Sequence, residues 1–159
     1  MQTAITGETF MTFRFGLLIA TLGVLLTASV AQAQSADDPT GIWLTEKGDA
    51  RVRVSRCGGG LCGAIVSLRD KLDPMTGRPA VDDKNPDPAL RNRPMVGVQL
   101  FFGMKPVGSN KWSGQIYNSD DGKMYDSNVS IAGPAALKVE GCVGAICGGE
   151  TWTKSASAR

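Results

Sequence analysis

Four cysteines, the only ones in the chain, form two pairs with the same spacing. Cys57 and Cys62 enclose four residues, three of them glycine, and Cys142 and Cys147 also enclose four residues. Thiolates bind zinc, exchange disulfides or form structural crosslinks, but zinc ribbons and thioredoxin-like redox sites usually place two residues between the cysteines. The four-residue spacing therefore favours structural disulfides, with zinc binding and redox chemistry as the alternatives.

The chain contains no histidine. This excludes catalytic triads and dyads built on histidine, histidine zinc sites and the usual general base near neutral pH. If the cysteines form disulfides, catalysis would depend on carboxylates, tyrosines or lysines. No catalytic motif uses these residues here, so the sequence favours a binding or structural role over an enzyme, and we expect no cofactor.

Acidic residues concentrate in residues 70–87 and 120–126. Asp82, Asn85 and Asp87 are candidate calcium ligands, because calcium takes six to eight oxygen atoms. A glycosidase-type carboxylate pair is another alternative, although no motif supports it. Asp and Asn also stabilise turns and helix N-termini, and neighbouring Lys and Arg residues balance their charge. The sequence favours this structural role and no bound metal.

Residues 1–33 have the pattern of a signal peptide. Arg14 precedes a mostly apolar run, and residues 31–33, Ala-Gln-Ala, match a signal-peptidase site. Met11 is an alternative start, because the first ten residues carry no positive charge. The apolar run is shorter than the roughly 20 residues of a spanning helix. We therefore expect a periplasmic or secreted protein with no membrane span after cleavage.

The remaining chain has the length of one small domain. Its formal net charge is +2, without a basic cluster, which gives no basis for nucleic-acid binding. We expect a short extension at 34–40, a β-barrel domain at 41–154 and a tail at 155–159.

Apolar residues in this domain alternate with a period of two and show almost no helical periodicity. Eight antiparallel strands in sequential order close into a barrel, which removes exposed sheet edges. The sequence therefore predicts an all-β fold, a small eight-stranded antiparallel meander barrel, with an open sandwich as the alternative. The predicted strands are 41–46, 50–55, 61–68, 95–102, 111–117, 123–131, 135–141 and 149–154.

The connection at 69–94 is long for a compact domain, and such loops are often functional. Asp87 before Pro88 predicts an N-cap and one turn of helix. Arg91 and Arg93 follow, and we expect them to bind the carboxylate or phosphate head group of a ligand. Four aromatic residues are predicted to line a cavity or, alternatively, to fill the core. They are Phe102, Trp112, Tyr117 and Tyr125.

Successive turns of a meander alternate between the two ends of a barrel. One cysteine pair flanks the turn between the second and third strands, and the other flanks the turn between the seventh and eighth. The pairs therefore lie at opposite ends, too far apart for bonds between them. The sequence predicts the disulfides Cys57–Cys62 and Cys142–Cys147.

Several stretches carry a family resemblance: GIWLTEKGDARVRVSRCGGGLCGAIVSL, LDPMTGRPAVDDKNPDPALRNRPMVGVQL, KWSGQIYNSDDGKMY and GGETWTK. They span residues 41–154 and resemble the bacterial family called domain of unknown function 2147. The resemblance implies a lipocalin-like β-barrel and an exported protein of a Gram-negative bacterium, and it implies no activity. Ser119 departs from the family, which more often has proline there.

The segment Gly41-Ile42-Trp43 resembles the Gly-x-Trp signature of lipocalins. In those proteins a basic residue of the last strand covers the tryptophan at the closed end, and Lys154 is the candidate here, two residues after Trp152. The alternative is a core tryptophan that follows a turn glycine.

The sequence thus favours a binding module for a small apolar or amphipathic envelope molecule. The first alternative is a structural or interaction protein that docks on an envelope protein through the 69–95 loop. An exposed apolar patch at Met95, Met104 and Pro106 would favour it. The second is a carboxylate-based hydrolase, which convergent carboxylates of raised pKa would favour.

Overall fold

The structure is a computed structural model that describes residues 38–156. The predicted signal peptide, most of the predicted extension at 34–40 and the last three residues of the predicted tail lie outside the described residues.

Eight antiparallel strands form one closed barrel, and neighbours in sequence are neighbours in the sheet. The ring closes because β1 pairs with both β2 and β8. The predicted eight-stranded meander barrel is therefore confirmed. The strands are β1 (Gly41–Leu44), β2 (Ala50–Cys57), β3 (Gly60–Leu68), β4 (Gln99–Gly108), β5 (Lys111–Asn118), β6 (Lys123–Gly133), β7 (Ala136–Val143) and β8 (Ile146–Ser155).

The bounds of β4 differ most from the prediction. The sequence predicts a strand at 95–102, whereas β4 begins at Gln99 and ends at Gly108. Residues 95–98 form a turn instead, in which the Val98 N–H donates to the Met95 carbonyl oxygen over 3.0 Å. Beyond residue 102 the strand continues through a register irregularity that contains Gly103, with a φ of 62°. A glycine and a proline in this stretch resemble strand breakers, which is why the sequence pattern ends early.

The antiparallel order gives the barrel two unlike ends. The turns β2–β3, β4–β5 and β6–β7 lie with residues 38–40 at one end, which we call the packed end. The turns β1–β2, β5–β6 and β7–β8 lie at the other, the open end, together with the long loop at residues 69–98. The main core cluster fills the barrel towards the packed end, and it contains Trp43, Val52, Val54, Leu61, Phe101, Met104, Trp112, Val129, Leu137, Val139 and Trp152.

Trp43 anchors the packed end. Its side chain is 1% exposed, and its indole N–H donates to the Pro39 carbonyl oxygen over 2.8 Å. The ammonium of Lys154 lies 5.2 Å from the ring centroid and donates to the Asp38 carbonyl oxygen over 3.0 Å. Gly41 has a φ of 132°, and a Cβ there would lie 3.2 Å from Lys154 Cε. The expected contact between lysine and tryptophan is present, and it requires a glycine at position 41.

Both predicted disulfides are formed, and each closes its own hairpin. The Cα atoms of Cys57 and Cys62 are 5.8 Å apart, and those of Cys142 and Cys147 are 4.0 Å apart. Structural disulfides persist in oxidising compartments, so the pairs are compatible with an extracytoplasmic location.

The long loop is ordered by its own hydrogen bonds. Isolated bridges join Leu72 to Pro79 and Val81 to Pro94. One turn of 3₁₀ helix spans Pro88–Leu90, and the Asp87 carboxylate caps it by accepting from the Ala89 N–H over 2.9 Å. The helical turn predicted after Asp87 is therefore confirmed as a 3₁₀ turn.

Candidate ligand-binding cavity

A cavity of about 690 Å³ occupies the open end of the barrel. Its lower wall is the top of the packed core, where Trp152 is 2% exposed and Val139 is 4% exposed. Its sides come from several strands and from the long loop, so no single segment encodes it. The apolar lining residues are Ala50, Ile65, Leu68, Ala80, Met95, Leu100, Ile116, Val139, Val143, Ile146 and Trp152.

Two glycines contribute space to this cavity. Gly141 of β7 and Gly148 of β8 are paired across the hairpin, and both line the cavity. A Cβ at Gly148 would meet no heavy atom within 4 Å, and a Cβ at Gly141 would contact the Tyr125 Cβ at 3.5 Å. Larger residues at these positions would project into the cavity, so the glycines set part of its volume.

Glu150 brings a carboxylate into the cavity wall. It pairs with Val139 across β7–β8 and lies between Gly148 and Trp152 in the alternation of β8. The Trp152 indole N–H donates to its Oε1 over 2.5 Å. Within residues 38–156, no hydrogen bond or ion pair reaches the other oxygen, Oε2. The sequence analysis missed Glu150, although the period of two that includes Trp152 and Lys154 places it on the same face.

Polar residues surround the mouth. Thr45, Lys47 and Asp49 come from the β1–β2 turn, and Ser119 and Asp120 come from the β5–β6 turn. The Thr45 hydroxyl donates to the Asp49 carboxylate over 2.5 Å. An apolar interior beneath a polar mouth is the usual arrangement of a small-molecule site.

Asp82 attaches the long loop to the barrel wall. Its side chain is fully buried, and its two oxygens accept three kinds of donor. The Tyr117 hydroxyl of β5 donates over 2.6 Å, the Asn85 amide donates over 2.7 Å, and the Arg93 guanidinium lies 2.7 Å away. A buried charge is tolerated only with such partners, so Asp82 and Tyr117 fix where the loop lies.

These contacts shift two pKa values in opposite directions. Burial opposes ionisation of Asp82, but hydrogen bonds from Tyr117 and Asn85, and the hydrogen bond and charge of Arg93, outweigh it and hold its pKa below the usual value. Burial and the hydrogen bond to the negative Asp82 raise the pKa of Tyr117 to about 12. The loop attachment therefore requires an ionised aspartate and a neutral tyrosine.

A second contact holds the loop at the β5–β6 turn. Gly122 has a φ of 71°, and a Cβ at this position would lie 1.9 Å from the Lys84 carbonyl oxygen. No side chain fits between the two backbones, so glycine is required here for two reasons.

The predicted binding residues are divided among three regions. Tyr117 and Tyr125 line the cavity, as expected. Trp112 belongs to the packed core, which was the alternative expected for it. Phe102 is 71% exposed, because it follows the buried Phe101 and therefore points to the outer face of β4. The expectation that Phe102 lines the cavity is wrong.

Arg91 and Arg93 do not line the cavity either. The Arg91 guanidinium donates to the Asn85 carbonyl oxygen over 2.8 Å, and that of Arg93 donates to the Asp82 carboxylate over 2.9 Å. Both side chains stabilise the loop rather than face a ligand, because the loop folds back on its own carboxylates and carbonyls.

Asp82, Asn85 and Asp87 do not form a calcium site, because their side-chain oxygens are used within the loop and by Tyr117. Both Asp82 oxygens are occupied, the Asn85 oxygen accepts from the Asp87 N–H over 3.0 Å, and Asp87 caps the 3₁₀ turn. Among residues 38–156, no three His, Cys, Asp or Glu side chains are grouped to hold a metal ion. In the same part of the chain, no helix has the length and apolarity needed to cross a membrane.

The features expected for a docking protein or a hydrolase are weaker than the cavity in the part of the chain that the structure describes. Met104 is fully buried and Met95 lines the cavity, so these methionines form no exposed patch. The carboxylates whose pKa values are shifted all have lowered values, opposite to what a hydrolase would need. They are Asp38, Asp73, Asp82 and Asp121.

The fold and sequence have known relatives. A similar solved structure is protein HP1028 from Helicobacter pylori, described as belonging to the lipocalin family. The two share 25% sequence identity with a TM-score of 0.61, over 75% of this chain and 84% of that chain. No curated protein sequence matches at a significant level. A family profile described as "Uncharacterized protein conserved in bacteria" (DUF2147) matches residues 41–154, and the chain belongs to that family.

Proposed function

We propose that the protein is an exported binding module that holds a small apolar or amphipathic molecule in the cavity at its open end. The observation that carries the proposal is the cavity itself. Its volume of about 690 Å³ lies within the range of small-molecule sites, and its lining is mostly apolar. The likeness to a lipocalin-family protein supports the same function.

We place the ligand among molecules of the bacterial envelope. The two disulfides suit an oxidising compartment, and the predicted signal peptide would deliver the chain there. Displacing water from apolar walls would drive binding.

Native mass spectrometry of protein taken from its own host's envelope tests the proposal. We expect an additional mass that survives gentle desalting and leaves on denaturation. The denatured protein should also weigh about 4 Da less than its all-thiol form, since each disulfide removes two hydrogens.

A matched pair of glycine variants locates the ligand. Gly148→Leu would fill the cavity, and Gly108→Leu would not, although neither Cβ would meet a heavy atom within 4 Å and neither φ is positive. We expect the first variant to lose the additional mass and the second to retain it. Retention by both variants would contradict the cavity as the site.

A second candidate function is docking on an envelope protein through the 69–95 loop. One observation favours it: Met75 is 93% exposed and Leu72 is 54% exposed, both on this loop. The double change Met75→Ser and Leu72→Ser would weaken capture of a partner by the folded protein and leave the cavity ligand in place. Undiminished capture of a partner by the double variant would contradict docking through this loop.

A further inference from the structure

We propose that the ligand carries an organic ammonium group, and that the Glu150 carboxylate binds it inside the barrel. This inference rests on the proposed binding function and deepens it, because it assigns the chemistry of the ligand's polar end. Its basis is the position of Glu150, its unpaired oxygen and the charge of the cavity lining.

Glu150 lines the cavity below its rim and is partly buried. Ile146, at the start of β8, is 80% exposed at the rim, and Glu150 follows it four residues later on the same strand. Four residues of a strand span about 13 Å. Trp152, two residues further along β8 on the same face, is buried in the core. A group bound by Glu150 would therefore lie near the floor, with its apolar part directed along the wall towards the mouth.

The hydrogen bonds of Glu150 leave one acceptor for a ligand. The Trp152 indole occupies Oε1 and fixes the carboxylate, while no donor within residues 38–156 reaches Oε2. Glu150 is partly buried, and Oε2 is not one of the enclosed side-chain atoms that lack a partner among residues 38–156, so a ligand in the cavity can reach it. An ammonium would bring the opposite charge and a charge-assisted hydrogen bond to this oxygen.

The charged residues that line the cavity also favour a cationic ligand. Three acidic residues, Asp49, Asp120 and Glu150, line it, against one basic residue, Lys47, although the whole chain has a formal charge of +2. Two arginines of the long loop, Arg91 and Arg93, donate to oxygens of the loop itself and do not line the cavity. An anionic head group, which the sequence alone suggested, would meet a negative lining, whereas a cation is complementary.

The walls above Glu150 fit an apolar chain. Leu100 and Ile116 lie beside the core, and Met95 and Leu68 lie nearer the loop. Gly148 and its partner Gly141 leave a stretch of the β7–β8 wall without side chains between Glu150 and the rim residues Val143 and Ile146. The ligand class that suits this arrangement is a cationic amphiphile with an unbranched or slender apolar body.

Three probes with the same twelve-carbon chain test the inference: dodecylamine, dodecanol and dodecanoate. Each is used below the concentration at which it aggregates or separates from water. Binding to the oxidised, signal-free protein is measured by isothermal titration calorimetry. We expect dodecylamine to bind at least about tenfold more tightly than dodecanol, and dodecanoate to bind most weakly, since hydrogen bonds between charged groups exceed neutral ones by about this factor.

The variant Glu150→Gln keeps an oxygen that accepts from Trp152 and removes the charge. We expect it to weaken dodecylamine about tenfold, to strengthen dodecanoate, and to leave dodecanol unchanged. The control Asp126→Asn makes the same change of charge on β6 at an exposed residue that is absent from the cavity lining, and should leave all three affinities unchanged.

The outcomes separate this inference from the proposed function. If dodecanol binds as tightly as dodecylamine, or if Glu150→Gln changes neither, the ammonium site is wrong while the cavity function stands. If none of the three probes binds and Gly148→Leu changes nothing in protein from the host, the binding function fails with it.

Discussion

The two ends of the barrel are built from the same alternating strands and differ in what fills them. At the packed end, inward positions carry Trp43, Phe101 and Met104, all at most 2% exposed. At the open end, the corresponding positions of β7 and β8 include Gly141 and Gly148, and a cavity of about 690 Å³ remains. The backbone ladder is continuous through both.

The ends also differ in how they are covered. Residues 38–40 cover the packed end. The Trp43 indole donates to the Pro39 carbonyl oxygen, and the Lys154 ammonium lies over the Trp43 ring and donates to the Asp38 carbonyl oxygen. The open end is bordered by a loop of residues 69–98, attached through one buried carboxylate. The two ends therefore differ in kind: buried core side chains are concentrated at one end, and space for a ligand lies at the other.

Removing the anchor of the packed end should have the largest effect. Trp43→Ala should lower the free energy of unfolding by about 3–5 kcal/mol, because it leaves a cavity among buried neighbours. Urea unfolding followed by circular dichroism measures this. Phe102→Ala, at a residue that is 71% exposed, is the control and should change it by less than about 0.5 kcal/mol. Equal losses in both variants would mean that the packed end does not dominate stability.

Breaking the loop attachment should come next. Asp82→Ala should cost about 3 kcal/mol, since it leaves the Tyr117 hydroxyl and Arg93 without their shared acceptor. The same variant should make residues 69–98 sensitive to limited proteolysis before the barrel unfolds. Asp83→Ala is the control, because that carboxylate is 65% exposed and meets only Lys84. Unchanged proteolysis in Asp82→Ala would show that other contacts hold the loop.

The disulfides separate the two ends directly. Replacing either cysteine pair with alanines should lower the free energy of unfolding by about 2 kcal/mol, because both rings have the same small size. Only the loss of Cys142–Cys147 should also weaken ligand binding, since that hairpin carries Gly148 and Glu150. Calorimetry with dodecylamine on both double variants measures the difference, and equal weakening would contradict the division between the ends.

The pH dependence of stability should report on the loop attachment. The pKa of Tyr117 is raised to about 12, so its contribution is complete below its unfolded pKa near 10 and is lost as pH rises from 10 to 12. The pKa of Asp82 is lowered, so its contribution is present above about pH 4 and is lost as pH falls below that value. Urea unfolding across both ranges should show the alkaline loss in the native protein and not in Tyr117→Phe. A parallel loss in both proteins would assign it to other groups.

The smallest effect should come from the lysine over Trp43. Lys154→Met keeps the apolar part of the side chain and removes the ammonium, which should cost about 0.5–1 kcal/mol. Thermal unfolding measures it, with Lys138→Met on the neighbouring strand as the control, because that ammonium meets only Glu140. A cost as large as that of Trp43→Ala would mean that the charge, rather than packing, holds this end.

The sequence predicted the packed end better than the open end. The strand count and the hairpin disulfides follow from alternation and turn residues, which are local patterns. The contact between Lys154 and Trp43 follows from the resemblance of residues 41–43 to the Gly-x-Trp signature of lipocalins. The cavity depends on which inward positions lack side chains, and on a loop whose Asp82 contacts Tyr117, 35 residues further along the chain. The roles of Arg93 and Asp82 are set by each other and by Tyr117, and no local pattern encodes such a contact.

The positions that disagree with the sequence analysis share a cause. Phe102 was expected inside as one of several aromatic residues, and the alternation of β4 instead buries its neighbour Phe101. Glu150 was not predicted, because a charged residue in a strand is ordinarily assigned to the surface. In both cases the period of two holds, and which of the two faces each residue occupies was not worked out.

The close approach of Gly122 to Lys84 has a consequence for the order in which the protein becomes structured. The loop is synthesised before the two residues on which it rests, Tyr117 and Gly122, because both follow it in the chain. A growing chain therefore carries residues 69–98 with no surface to settle on until the β5–β6 hairpin has emerged. The segment that borders the binding cavity is, by its place in the chain, among the last to find its position.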